Sequence, residues 1–173
     1  MRESLPERRL LVAACMAAIL CVATARVRVQ GRAFDLLTAS ITDIQEAVDA
    51  GALSYERLAG LYLNRVEAYD KKGPQLRAVL AINPRAIETA RSLDQERRSR
   101  GKRSPLHGIP VAVKDNIDAL DMPTTGGSVA LAGTYAAYDA TAVRRLREAG
   151  AIILLKTNLD ELALGSRGSS RSS

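Results

Sequence analysis

The chain of 173 residues is poor in the side chains that most enzymes use for thiol or metal chemistry. It contains two cysteines, one histidine and no tryptophan. With His107 as the sole imidazole, a zinc site built from several histidines is excluded. Aromatic residues make up only 3% of the chain, and none interrupts the basic run 97–103. We therefore interpret that run as a solvated loop and expect no nucleic-acid partner.

Both cysteines lie in an N-terminal segment with the pattern of an export signal. Arginines near the start precede the apolar run Leu10–Val22 and the small residues Ala23-Thr24-Ala25. This pattern predicts a signal peptide over residues 1–25 and export to the periplasm or the medium. The apolar run is shorter than the roughly 20 residues of a spanning helix, so we expect no stable membrane anchor after cleavage. Residues 26–173 would then lack thiols, which excludes thiol catalysis and cysteine metal sites there.

Amphipathic helices are predicted for the first half of the remaining chain. Ser40 is placed to cap one helix and Ser54 to cap a second, while Gly51 ends the first. In the second helix, apolar residues recur every three or four positions, which predicts one face packed against a core. Asn83 as N-cap and Pro84 at the first helical position predict a third helix that ends near residue 98.

Three short apolar runs are interpreted as buried strands: Ala78–Ile82, Ile109–Val113 and Ala151–Leu155. Between the second and third runs, a glycine-containing loop is followed by a predicted helix from about Asp139 to Ala149. The order strand, loop, helix, strand predicts a parallel βαβ unit with a right-handed crossover.

A lysine follows each of the two predicted parallel strands, Lys114 the first and Lys156 the second. Neighbouring parallel strands end at one edge of a sheet, where open α/β sheets bind ligands. We therefore expect Lys114 and the Lys156-Thr157-Asn158 turn to face the same crevice. Burial at the strand end would let Lys114 act as a base near neutral pH, and the ordinary alternative is a solvated lysine. For Lys156 we favour a structural role, hydrogen bonding to loop backbone.

Four blocks between Pro105 and Gly165 resemble the amidase signature family of serine hydrolases. They occur in the family's order and spacing, at Leu106–Asn116 (LHGIPVAVKDN), Pro123–Ser128 (PTTGGS), Arg145–Ile153 (RLREAGAII) and Lys156–Glu161 (KTNLDE). A weaker resemblance extends upstream to about Ile41. The resemblance implies that residues 26–173 are the N-terminal part of an amidase domain. The implied fold class is α/β, a partial amidase-signature fold with N-terminal helices and the first strands of a mixed, largely parallel central sheet flanked by helices.

In that family, as the resemblance implies, amide C–N bonds are cleaved by a Ser-cisSer-Lys triad without a metal or cofactor. The lysine of the first block corresponds to Lys114, which would be the general base. Gly126, Gly127 and Ser128 are candidates for the substrate crevice or for a simple turn. Both triad serines belong to a region that family members carry after the K-T-N block, so we expect them beyond Ser173. The chain alone is therefore expected to have no amidase activity.

The sequence thus predicts the N-terminal part of an exported amidase that acts on a small-molecule or peptide amide and needs no cofactor. Its oligomeric state is not assigned. Two alternatives stay open: a glutamyl-tRNA amidotransferase A-type subunit, which the signal peptide disfavours, and a short form that binds an amide or peptide without hydrolysing it. The serines within 166–173 are assigned no catalytic role, and His107 is expected to be a turn residue before the strand.

Overall fold

A computed structural model describes residues 35–165 of the chain. The predicted signal peptide, both cysteines and the serine-rich segment 166–173 lie outside these residues. No helix between residues 35 and 165 has the length and apolar character needed to cross a membrane.

Two serine-capped helices begin the described chain, as predicted. Helix α1 spans Ile41–Asp49 and α2 spans Tyr55–Arg65. The hydroxyls of Ser40 and Ser54 each accept a hydrogen bond from a backbone N–H in the first turn of their helix. At α1, the Asp43 carboxylate accepts a bond from the Ser40 backbone N–H, which completes a capping box. These bonds satisfy N–H groups that have no partner within a helix and fix where each helix starts.

The third helix starts later than the sequence predicts. Helix α2 continues into a π-helical turn, Val66–Lys71, and α3 spans Ala86–Arg100. The prediction of Asn83 as the N-cap is wrong. Its side-chain oxygen accepts from the Arg85 N–H at 2.9 Å, and its amide nitrogen donates to the Ile153 carbonyl at 2.7 Å. Because this second bond ties Asn83 to a strand, the chain makes a turn before the helix begins.

Three strands form one mixed sheet in the order β1–β3–β2. They span Val79–Ile82 for β1, Pro110–Lys114 for β2 and Ile152–Thr157 for β3. Strands β2 and β3 are parallel and are connected through α4, Thr141–Glu148, which confirms the predicted parallel unit. Strand β1 pairs antiparallel with the other edge of β3. The apolar strand β3 therefore lies at the centre of the sheet.

Two apolar clusters pack on opposite faces of the sheet. One joins α2 and α3 to β3 residues that include Ile152 and Leu154. The other joins Val143 of α4 to Val113 and Ile153. Because successive strand residues point to opposite faces, Ile152 and Ile153 mark the two sides. Burial of β3 on both faces accounts for its continuous apolar sequence.

A register shift in the β2–β3 ladder determines which face each strand-end lysine occupies. The pairing slips by one residue of β3 between Val111 and Ala112. Without this slip, Lys114 and Lys156 would lie opposite each other on the same face. Lys156 instead pairs with Val113, on the other face of the sheet from Lys114.

Candidate functional site

Lys114 lies where the parallel strands β2 and β3 end, at the edge that the sequence predicts. It pairs in register with Thr157, and its side chain is exposed. Pro110 and Ala112 share its face of β2 and line an adjoining, largely apolar cavity of about 400 Å³. The predicted burial of this strand end is not observed among residues 35–165, because no described element covers the Lys114 side chain.

Lys156 has the opposite environment, since its side chain is fully buried. Its Nζ lies 3.1 Å from Asp115 Oδ1 and 3.1 Å from Thr124 Oγ1. The predictions that Lys156 bonds loop backbone and faces the same crevice as Lys114 are wrong. The register shift turns Lys156 to the other face, where it meets side-chain partners. A structural role is confirmed, but that role is a buried ion pair.

Asp115 connects the ends of both parallel strands to the loop that follows. Its backbone N–H donates to the Thr157 carbonyl at 3.1 Å. Carboxylate Oδ1 faces Lys156, and Oδ2 accepts from the Thr125 N–H at 2.9 Å and from the Thr125 hydroxyl at 2.5 Å. Both carboxylate oxygens therefore have donors, as a buried charge requires.

The crevice candidates Gly126, Gly127 and Ser128 form a buried turn beside Asp115. Both glycines have positive φ, 60° and 71°. The Gly126 N–H donates to the Asp115 carbonyl, the Gly127 N–H to the Thr125 hydroxyl, and the Ser128 N–H to the Thr125 carbonyl. All three N–H groups therefore have protein acceptors, which belong to Asp115 or Thr125. Contact of this turn with a substrate stays a prediction.

The segment after β3 holds the same turn from a second side. Ser128 Oγ donates to Glu161 Oε1 at 2.7 Å. A Cβ atom at Gly127 would lie 2.9 Å from the Leu159 carbonyl oxygen, closer than a methyl group can approach backbone. Glycine is therefore required at position 127 both by its positive φ and by this close approach.

His107 is a structural side chain at the opposite, amino end of β2. Its ring is fully buried and edge-on to Tyr55. Nε2 lies 3.0 Å from the Leu93 carbonyl oxygen, and Nδ1 accepts from the Arg103 N–H at 3.3 Å. Because a carbonyl only accepts and an amide N–H only donates, these partners select the neutral tautomer with the proton on Nε2. His107 lies in the turn before β2, as predicted.

Charged side chains away from the Lys114 edge of the sheet form local ion pairs. Arg97 and Lys102 both pair with Asp49, and Arg103 makes two bonds to Glu96. The Arg103 guanidinium holds the pKa of Glu96 below its usual value. Much of the basic run 97–103 is therefore paired with carboxylates. The interpretation of the whole run as a solvated loop is wrong, because residues 97–100 form the last turn of α3. Residues 35–165 contain no group of three side chains arranged to hold a metal ion.

The contacts of Asp115, Thr125 and Glu161 were not predicted from the sequence. All three residues lie within the blocks that carry the family resemblance. The blocks therefore mark the right segments, but they do not indicate which side chains pair. Only Asp115 has a local signal, since a carboxylate directly after a buried strand needs a partner.

Comparison with known proteins identifies the family of this chain. The family model described as Amidase matches residues 57–172, and the chain belongs to that family. The A-type subunit of glutamyl-tRNA(Gln) amidotransferase from Thermobifida fusca (strain YX) is 42% identical over 133 residues, which are 76% of this chain and 26% of that protein. The corresponding chloroplastic/mitochondrial protein of Zea mays is 46% identical over 132 residues, 75% of this chain and 24% of that protein.

Solved structures support the same assignment. Native peptide amidase from Stenotrophomonas maltophilia is 47% identical, with a TM-score of 0.72 over 76% of this chain and 27% of that one. An amidase family protein from Bacillus anthracis str. Ames is 42% identical, with a TM-score of 0.70 over 76% of this chain and 28% of that one. The chain thus spans about a quarter of the length of the relatives it matches.

Proposed function

We propose that this chain supplies the general base of an enzyme that hydrolyses amide C–N bonds, and that Lys114 is that base. The observation that carries the proposal is the position of Lys114. It is exposed at the carboxyl edge of a parallel strand pair, in a chain of the amidase family. Lys156 is the penultimate residue of the neighbouring strand, but it is buried and bonded to Asp115, which leaves Lys114 as the base.

In the proposed mechanism, the neutral amine of Lys114 takes a proton from a bridging serine in a cis peptide. That serine in turn deprotonates the nucleophilic serine, which attacks the amide carbonyl carbon. Backbone N–H groups stabilise the tetrahedral oxyanion, and the amine departs with the proton to leave an acyl-serine. Water then attacks the acyl-serine, which releases the carboxylic acid and restores the serine hydroxyl. We place both serines beyond Ser173, in keeping with the quarter of the relatives' length that this chain covers. Groups outside residues 35–165 would then also supply the burial that keeps Lys114 neutral.

A chimera tests this role directly. Residues 35–165 replace the matching part of the peptide amidase from Stenotrophomonas maltophilia, and ammonia release from an amidated peptide is measured. We expect turnover that falls by about 10³-fold with Lys114→Met, the scale of a lost general base. Lys72→Met removes an exposed lysine far along the chain and is the matched control.

Two results of these assays would contradict the proposal. A folded Lys114→Met chimera with undiminished turnover would remove Lys114 from the mechanism. Residues 26–173 alone are expected to release no ammonia above the blank, and a Lys114-dependent turnover by that chain would show that the serines are not beyond Ser173.

A second candidate function is that of a glutamyl-tRNA amidotransferase A-type subunit. It is favoured by the relatives of that name in Thermobifida fusca and Zea mays, whose 42% and 46% identity is close to that of the peptide amidase. A second chimera, in which residues 35–165 replace the matching part of the Thermobifida fusca subunit, separates the two functions, because the host in which the chain retains more of the host's own turnover is the better match. Calorimetry on residues 26–173 tests the third alternative, in which an amidated peptide binds without turnover.

We also propose that residues 1–25 are a signal peptide and that residues 26–173 are exported. The charged start, the apolar run and the small residues before position 26 support this. Mass spectrometry of the periplasmic and cytosolic fractions, after expression with the native leader, tests it. We expect a periplasmic chain that begins at Arg26, and an intact cytosolic chain that begins at Met1 would contradict export.

A further inference from the structure

Asp115 directly follows the proposed base, but its side chain points to the other face of the sheet. Lys114 is exposed, whereas Asp115 is 1% exposed, in keeping with the alternation of a strand. The two residues share one planar peptide unit, so contacts that fix Asp115 also fix the direction in which Lys114 leaves the strand. The partners of Asp115 therefore bear on the geometry of the base.

Those partners come from two separate parts of the chain, strand β3 and the loop that contains Thr125. Lys156 approaches from β3, Thr125 binds Oδ2 through both its N–H and its hydroxyl, and the Gly126 N–H donates to the Asp115 carbonyl at 3.2 Å. Lys156 also reaches Thr124 at 3.1 Å, so the same ammonium contacts the loop. We name Asp115, Lys156 and Thr125 the strand-end clamp.

The strand-end clamp is built from groups that are costly to bury unless they are paired. Asp115 and Lys156 are both almost inaccessible to solvent, and each neutralises the other at 3.1 Å. A buried ion pair of this kind is seldom a net source of stability compared with apolar residues. It does specify one geometry, because any displacement leaves a buried charge without its partner.

We infer that Asp115 is a positioning residue for Lys114, with Lys156 and Thr125 as the partners through which it acts. The inference rests on the proposed function only in taking Lys114 as the base. The clamp holds the end of β2, the end of β3 and the start of the Thr125–Ser128 turn in one arrangement. Displacement of a catalytic group by about 1 Å costs on the order of 100-fold in rate, which is the scale of the effect that such a clamp prevents.

Native-state hydrogen exchange on the full 173-residue chain tests the clamp. Asp115→Asn removes the charge, and Thr125→Val removes the hydroxyl that donates to Oδ2. We expect the amides of Asp115, Thr125 and Gly126 to exchange at least about tenfold faster, relative to any change at Ile153 in the centre of β3. A uniform acceleration at all four amides would show a general loss of stability and would overturn the inference.

Matched variants keep this test informative. Thr125→Ser retains the hydroxyl and is expected to restore slow exchange, while Asp118→Asn removes a nearby carboxylate and is expected to leave the clamp amides unchanged. If Asp115→Asn does not fold, the Thr125→Val and Thr125→Ser pair carries the test, because Thr125 is only partly buried.

Acylation of the lysines connects the clamp to Lys114. The chain is treated with a trace of acetic anhydride, and mass spectrometry gives the rate at Lys114 relative to exposed Lys72. We expect that ratio to change at least about threefold in Asp115→Asn and Thr125→Val and to be restored in Thr125→Ser. If the amides of Thr125 and Gly126 exchange faster in these variants while the acylation ratio of Lys114 to Lys72 is unchanged, the positioning role is overturned. A changed ratio together with an inactive chimera would contradict the proposed function and leave the link between Asp115 and Lys114 standing.

Discussion

Lys114 and Lys156 end neighbouring parallel strands, yet one side chain is exposed and the other is fully buried. Their sequence contexts are similar, because each follows an apolar run and precedes a polar turn. The difference comes from the one-residue slip between Val111 and Ala112, which turns Lys156 to the face of Asp115. The pair shows that strand order places a residue at an edge, whereas register decides its environment.

The largest expected effect is a difference in the free energy of unfolding between variants of the two lysines. Lys156→Met leaves the Asp115 carboxylate buried without its cation, so we expect the free energy of unfolding to fall by about 3–5 kcal/mol. Lys114→Met removes an exposed side chain and should change it by less than about 0.5 kcal/mol. Urea unfolding followed by circular dichroism gives both values.

A double variant sharpens the same comparison. Asp115→Asn in the Lys156→Met background removes the unpaired charge, so it should recover part of the lost free energy of unfolding. Equal losses for the two single lysine variants, or no coupling in the double variant, would mean that the buried pair is not what distinguishes Lys156.

The second expected effect concerns the turn that the clamp holds. Gly127→Ala meets the Leu159 carbonyl oxygen and also requires a positive φ. Gly133→Ala is the matched control, because Gly133 has a similar φ of 77° but the new methyl group would have no heavy atom within 4 Å. We expect a loss of about 1 kcal/mol in the free energy of unfolding for Gly133→Ala, from backbone strain alone, and a loss at least about 1 kcal/mol larger for Gly127→Ala. Thermal or urea unfolding that shows equal losses would contradict the close packing of this turn.

The smallest expected effect comes from an ion pair that is not buried. Arg103 lowers the pKa of Glu96 below 4.5, so the folded chain holds that carboxylate ionised more strongly than the unfolded chain does. The resulting stabilisation is present above about pH 4.5 and is lost as the pH falls through the folded pKa. Glu96→Gln should cost less than about 1 kcal/mol at pH 7 and should make the decline in stability below pH 4.5 shallower. Urea unfolding across this pH range measures the difference, and an unchanged decline would contradict the assigned pair.

The parts of the fold that sequence predicts are those with a local cause. Ser40 and Ser54 begin helices because a cap acts within one turn, and the parallel pairing of β2 with β3 follows from strand order. Asn83 shows the limit of this reasoning, because a bond to Ile153, distant in sequence, overrides its preference for capping. The antiparallel placement of β1 likewise has no local signature.

In the candidate site, too, sequence predicts what depends on strand order and misses what depends on distant contacts. Lys114 could be placed at the strand edge because that position depends on strand order alone. The environment of Lys156 could not, because it depends on the register slip and on partners from a loop and a second strand. Side-chain pairing across such distances is decided by packing in three dimensions, which a motif does not encode.

The two strand-end lysines have opposite environments, one available for chemistry and one structural. Competitive acetylation of the native 173-residue chain, followed residue by residue with mass spectrometry, tests this contrast most directly. We predict that Lys114 reacts at a rate comparable to exposed Lys72, while Lys156 reacts at least about 100-fold more slowly until the chain is unfolded. Equal rates at Lys114 and Lys156 in the folded chain would contradict the contrast.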